Sequence, residues 1–288
     1  MKNQNAERNQ IRLISAQSGD LLPFLGELYD FRELLSFLVW KDIKVQFAQT
    51  VLGFGWLVLR PLLNIGILTL VFGKIAKMPS DGTPYLLFAL AGMLAWSYFS
   101  GAVSKASASL VGNSALVTKV YFPRIYIPIS FTLSALVEFV VTFVIFILVS
   151  TFVYGRAPTA AMMLFPIPLV LLLLTTIGAS LWLAALSVDF RDVRHASQYL
   201  LQLLMFAAPI IWPLSLLRTH WGAFGESLIG WYAFYPLVGV IEGFRHALLG
   251  TGDMPWDYLA AGYSSALVLT VSGFMYFRRR ERLLADYV

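Results

Sequence analysis

Six apolar stretches, at about 53–74, 84–104, 125–153, 162–188, 196–217 and 257–277, follow one another along the 288-residue chain. Each is long enough for a helix across the bilayer hydrocarbon, which takes roughly 20 apolar residues. Hydrocarbon offers no water to backbone N–H and C=O groups, so a run of this kind has to bond within itself as a helix. The chain therefore reads as an all-α integral membrane protein with six transmembrane helices in one membrane domain, residues 53–277. Only 13% of the residues are charged, and no polar block between the stretches is long enough to fold separately. The polar residues 1–30 lack the short apolar core and small-residue cleavage site of a signal peptide and read as a retained N-terminal segment.

An even number of spans puts both termini on one side. The loops on that side, with the termini, carry Lys41, Lys44, Lys105, Lys119, Arg124, Arg191, Arg194 and Arg278 to Arg280, whereas the opposite loops hold Lys74, Lys77, Arg156, Arg218 and Arg245. This asymmetry assigns both termini to the cytoplasm. It also accounts for most of the net charge of +5, which leaves no case for a nucleic-acid partner. The basic tail 278–288, beginning inside "FRRRER", adjoins a span and should attract anionic membrane lipids. "DFRDVRH", between the fourth and fifth spans, becomes a cytoplasmic turn that packs Asp189, Arg191, Asp192, Arg194 and His195 together. Either paired charges merely keep a tight turn in water or they brace the span ends.

Several pieces are not simple spans. Residues 31–52 read as an N-terminal amphipathic helix in the membrane interface, although the apolar side rotates near Trp40; two short elements, or one helix with a second partner, would explain that. In the second cytoplasmic loop, Leu110, Val111, Leu116 and Val117 share a face of a short helix ended by Pro123. That face suits docking on another protein or packing beneath its own bundle. The external segment 218–256 is interrupted by Gly and Pro and reads as re-entrant helices, with Trp221, Trp231, Tyr232 and Tyr235 forming an interfacial belt or a surface on which sugar rings stack. Glu138, Gln198 and Gln202 are intramembrane polar residues. Glu138 calls for a partner within the bundle, as a functional group or as hydrogen-bonded glue between helices. Arg60 can snorkel toward the cytoplasm.

Some chemistry is excluded. With no cysteine there is no disulfide and no thiolate. No G-x-x-x-x-G-K-[ST] loop occurs; "GILTLVFGKI" has six residues between its glycines and Ile75 after Lys74, so the chain cannot hydrolyse ATP in the P-loop manner. His195, His220 and His246 are scattered and suggest no metal site. A membrane carrier or channel outranks an enzyme.

"TVLGFGWLVLRPLLNIGILTLVFGKI", "NSALVTKVYFPRIYIPIS", "DFRDVRHASQYLLQLLMFAAPIIWP" and "YPLVGVIEGFRHALLG" fall in that order. Together they resemble the permease subunit of type-2 ABC exporters, in the polysaccharide and polyol-phosphate branch that includes O-antigen and teichoic acid permeases. Tyr235 departs from the Asn often found before the re-entrant proline. The resemblance implies a homodimer in the bacterial cytoplasmic membrane with two copies of an ATP-binding subunit, which would carry ATP and Mg; no cofactor is expected on this chain. It implies coupling to that subunit through Leu110, Val111, Asn113, Leu116, Val117 and Lys119, beside Asp189, Arg191, Asp192 and Arg194. Trp56, Trp96, Tyr98, Phe99 and Phe206 would line a path for a lipid-linked polysaccharide between protomers. Competing readings are a drug or lipid exporter, an autonomous secondary transporter, and a membrane glycosyltransferase, which would need an acidic site among Asp81, Glu226, Glu242, Asp253 and Asp257.

Overall fold

The computed structural model describes residues 31–48, 50–119, 122–190 and 192–281. Helix α1 (Arg32–Phe47) precedes the first span, α2 (Gly55–Ile75), whose last turns are π-helical. The second span, α3 (Tyr85–Gly112), is followed by the short α4 (Ser114–Lys119), and the third is α5 (Tyr126–Val153). The fourth, α6 (Ala160–Asp189), begins with a 3-10 turn; then come α7 (Val193–Ala207), α8 (Ser215–Tyr232), α9 (Pro236–Leu249) and the last span, α10 (Trp256–Glu281). Residues 1–30 and most of the basic tail lie outside the described residues. Arg278 to Arg280 belong to the last turn of α10, not to a separate tail.

Helix α3 is the axis of the bundle. It packs against α2, α5, α6, α7 and α9, and 78% of its most apolar window is buried. Small residues lie on all its sides, Ala89, Gly92, Ala95, Gly101 and Ala102 among them. In lipid, where association of apolar helices depends on close packing, such residues let neighbouring backbones approach. A similar approach joins α6 to α10: a Cβ on Gly178 would meet the Thr270 backbone at 2.9 Å, and one on Gly273 would meet the Gly178 carbonyl at 2.8 Å.

The fifth span departs from the expected 196–217. Helix α7 ends at Ala207, and Ala208 is extended (φ −77°, ψ 144°), because the residue before a proline is driven out of the helical region and Pro209 has no N–H to donate. The 15 residues of α7 rise only about 22 Å. Residues 208–214 continue without helix, with Ala208, Ile210, Ile211 and Leu214 buried. Such backbone is tolerated at membrane depth only under protein cover, and neighbouring helices supply the missing donors. Arg245 of α9, 4% exposed, donates through Nη2 to the carbonyls of Pro209 (2.5 Å) and Ile210 (3.2 Å) and through Nη1 to Glu242 (2.6 Å). Tyr85 donates to the Ile211 carbonyl (3.0 Å). The guanidinium also lies 3.5 Å from the ring centre of Phe88.

In the segment expected to be re-entrant, Phe224–Tyr232 of α8 and Pro236–Leu249 (α9) meet at 99°, the geometry of a broken span or of a re-entrant hairpin. Tyr235 does not cap α9 with its side chain; its hydroxyl donates instead to the Leu204 carbonyl at 3.4 Å. The far end of α9 closes on Gly250 in the left-handed conformation (φ 67°), with its N–H on the His246 carbonyl.

Replacing Arg245 by Met should leave two buried carbonyls without donors and lower stability by about 3 kcal/mol or more, seen as an earlier thermal loss of the monodisperse detergent-solubilised peak, with partial recovery in Arg245→Lys. Gly178→Val should separate α6 from α10 and cost roughly 1–3 kcal/mol in the same measurement.

Candidate functional site

Two faces of the bundle are left uncovered. Only 11% of the most apolar window of α2 is buried, and the helix packs on α3 and α5 alone among the major contacts. Its open side carries Trp56, Arg60, Leu63, Asn64 and Ile67 at helical spacing. On α7 the exposed side is formed by Gln198, Tyr199, Gln202, Leu203 and Phe206, and Phe206 is 57% exposed. Both sides mix aromatic, amide and aliphatic groups. A face meant for lipid tails alone would not carry the amides or the cation.

Between α2, α3 and α5 lies a half-open cavity of ≈ 480 Å³, with the end of α1 and Met205 at its rim. Trp56, Phe47, Phe139 and parts of Trp96 and Tyr98 contribute its aromatic wall, and Gln46, Asn64, Ser97, Arg60 and Glu138 are among its polar groups. Of the residues expected to line a path between copies, Trp56, Trp96 and Tyr98 border this cavity. Tyr98 is 1% exposed, donates to the Thr132 carbonyl at 3.2 Å and stands edge-on to Phe139. Phe99 is buried and does not reach the cavity, and Trp96 is largely buried against it at 5.8 Å. The reason is the central position of α3, which turns most of its surface toward neighbouring helices. Of the five aromatic residues expected to line a path, Trp56 and Phe206 lie on the uncovered faces.

At one edge of the cavity a polar clamp fastens α1 to the bundle. Lys105 of α3 donates to Glu138 of α5 (3.2 Å) and to Gln46 of α1 (3.0 Å), and the Gln46 amide donates to Glu138. Asp42 accepts from Ser130 (2.8 Å), and Lys41 donates to Asn113 (2.9 Å). Burial pushes the Asp42 carboxyl above the usual carboxylate range, opposed by the Ser130 hydrogen bond and by Lys41 and Lys105. Glu138 thus has its partner, and the glue reading accounts for its contacts. Lys105, assigned to a loop from sequence, lies within α3 because that helix continues to Gly112. Helix α1 is a single helix whose two apolar sides have different neighbours: Leu38, Leu34 and Leu35 pack into the cluster around Tyr126, while Phe37, Trp40 and Val45 are exposed.

The expected coupling segment is divided. Leu110 and Val111 form the end of α3, and Leu110 is fully buried in its own bundle, so it offers nothing to a partner. Helix α4 keeps Asn113 at its start and Leu116 partly buried on the same cluster, with Ala115 exposed. Val117 and Lys119 lie in the helix. In the α6–α7 turn, Asp189 accepts from Tyr276 (3.0 Å) and pairs with Arg280 (3.2 Å), so it braces α6 against α10. Asp192 is exposed at the start of α7, and Arg194 has its Nε buried without a hydrogen-bond partner among the described residues. Arg191 lies outside the described residues.

Sequence reasoning missed the Lys105–Gln46 link and the cavity; the i, i+4 pair Asp42 and Gln46 on one side of α1 was the available signal. Known proteins extend the same pattern. Residues 33–249 match the model of the ABC-2 type transporter family. The chain is 33% identical over 263 residues to the O-antigen export system permease protein RfbA of Myxococcus xanthus, covering 91% of this chain and 98% of that one. A protein of the same name from Klebsiella pneumoniae is 26% identical over 91% of this chain and 96% of its own length. The polysialic acid transport protein KpsM of Escherichia coli is 26% identical over 85% and 92%. With its first four spans, broken fifth helix and bent α8–α9 pair falling inside the matched region, the chain belongs to the ABC-2 type transporter family and is a multi-pass membrane permease subunit.

Proposed function

We propose that the chain is the transmembrane subunit of an ABC exporter that moves a lipid-linked polysaccharide of O-antigen type across the bacterial cytoplasmic membrane. The near end-to-end match to a permease named for O-antigen export carries this reading, and the uncovered faces of α2 and α7 support it. A second copy facing those surfaces would enclose a path bounded by Trp56, Gln198, Gln202 and Phe206. Ring faces and amides at the wall give many weak contacts to successive sugars, and conduction requires binding loose enough to leave. A drug or lipid exporter would share the fold but lacks the support of the named relatives.

The energy source on this reading is a separate ATP-binding subunit, since the chain carries no phosphate loop. With both termini in the cytoplasm, α1, α4 and the α6–α7 turn share the cytoplasmic end. The exposed side of α4 around Ala115 is the docking contact, because Leu110 and much of Leu116 are committed to the core. Motion received there reaches α1 through Asn113 and Lys41.

Deletion of the gene should abolish a surface polysaccharide and accumulate its lipid-linked precursor inside the cell, measured by surface-glycan blotting and lipid extraction; unchanged surface glycans would favour the drug or lipid exporter. The purified chain in nanodiscs should show no ATPase activity until its ATP-binding subunit is added. Ala115→Asp should leave the permease in the membrane and reduce co-purification of that subunit by about tenfold, since a charge placed in a desolvated contact is costly.

A further inference from the structure

We propose that Arg124 and Glu281 are positioning residues for energy coupling. Together they latch the connection between α4 and α5 to the end of α10, so that a displacement of α4 passes to α1 and α2 instead of being lost at Pro123. The inference rests on the reading that a separate ATP-binding subunit docks at α4.

The connection has little structure of its own. Pro123 keeps it out of helix, and Arg124 lies two residues ahead of α5. Two hydrogen bonds fasten it to a single residue: the Arg124 N–H donates to Glu281 Oε1 at 2.8 Å, and Nη1 donates to the Glu281 carbonyl at 2.6 Å. The second bond sets a cation on the last turn of α10, where the helix dipole favours one. Arg278, one turn earlier, holds the other carboxylate oxygen of Glu281 at 3.5 Å.

The same end of α10 grips the turn between α6 and α7. Arg280 pairs with Asp189, and Tyr276 donates to it; Trp182 of α6 stacks on Tyr276 at 4.6 Å and donates to Ser272 at 3.0 Å. Both connections are thereby fixed to one rigid pair, α6 and α10, which already meet through Gly178 and Gly273. Stability alone does not call for the polar ties, since partly exposed ion pairs contribute little net and α10 packs on α6 and α9 without them. What the ties fix is direction. With the start of α5 held, α4 moves against a fixed point, and its motion leaves through Asn113 and Lys41 to α1, whose end borders α2 at the cavity.

The chain has no cysteine, so a bimane fluorophore on Leu63→Cys, exposed on the open side of α2, reports on that helix. The full-length chain would be labelled, placed in nanodiscs, joined by its ATP-binding subunit and trapped with ATP and vanadate. An emission shift on trapping is expected in the parent chain. Glu281→Ala should keep the subunit and its ATP hydrolysis but lose the shift. Glu281→Gln, which still offers an acceptor to the Arg124 N–H, should restore it; a merely stabilising contact would not separate these readouts. Arg124→Ala should weaken the shift as well, and it decides the matter if Glu281→Ala does not fold. The proposal is overturned by an undiminished shift in Glu281→Ala or Arg124→Ala, by loss of the subunit or its hydrolysis in these variants, by failure of Glu281→Gln to restore the shift, or by a parent chain that shows no shift. No cargo enters the measurement, so unchanged surface glycans on gene deletion leave these outcomes standing. A parent chain that binds no ATP-binding subunit removes the energy reading and this proposal with it.

Discussion

The carbonyls exposed where the fifth span breaks govern much of this structure. Pro209 and the extended Ala208 stop α7 well short of the bilayer thickness, and the chain then runs without helix through a region that offers no water. Arg245 and Tyr85 cover three successive carbonyls, those of Pro209, Ile210 and Ile211. This requires a long cationic side chain to be carried into the interior, and hence a helix that folds back into the bundle. The re-entrant hairpin fulfils that role: α9 buries Arg245 beside Glu242, which neutralises it, and against Phe88, whose ring face receives the cation. Gly92 keeps α3 close, since a Cβ there would meet the Ile210 backbone at 3.2 Å. The break, the hairpin and the glycine on α3 are one arrangement.

Centring the bundle on α3 decides which surfaces remain for function. Most of α3 is packed, and two of its aromatic residues serve the core: Tyr98 bonds the Thr132 carbonyl and Phe99 fills the core. The helices at the edge, α2 and α7, retain exposed sides in which Trp56, Arg60, Asn64, Gln198, Gln202 and Phe206 interrupt the aliphatic residues. Polar and ionisable groups at membrane depth are costly toward lipid. They therefore mark where something other than lipid meets the protein.

The spans were legible because backbone bonding in hydrocarbon leaves so few alternatives, and four of the six expected stretches match continuous helices closely, with the second running longer to Gly112. The re-entrant hairpin was legible from its Gly and Pro interruptions, and Glu138 from the cost of its depth. What escaped was tertiary. Periodicity places Trp96, Tyr98 and Phe99 on a helix but does not say that the helix is central; the small residues spread around α3 carried that information. The apolar run 196–217 hid its own break, although Pro209 inside it was the warning. Leu110 and Leu116 have the same chemistry on paper, yet continuation of α3 through Gly112 buries the first completely and leaves α4 with six residues.

Uneven packing also indicates which parts can move. Helices α3, α6, α9 and α10 share extensive contacts, including the glycine crossing at Gly178 and Gly273, so displacing any one of them exposes backbone and cavity together. Helix α2 is held by α3 and α5 alone among the major contacts, and it has Gly53 in a left-handed turn (φ 51°) before it and π-helical turns at its end. Segments with few buried contacts open at the smallest free-energy cost. The polar clamp of Gln46, Lys105 and Glu138 lies at the corner where α1 meets this loosely held span. Polar contacts suit that corner, because their partners are specific and a displaced α1 exposes hydrogen-bonding groups that the interface can solvate. A pull on α1 or α4 would then be resisted by the rigid four-helix core and taken up by α2, the helix that forms one wall of the cavity and one uncovered face of the bundle.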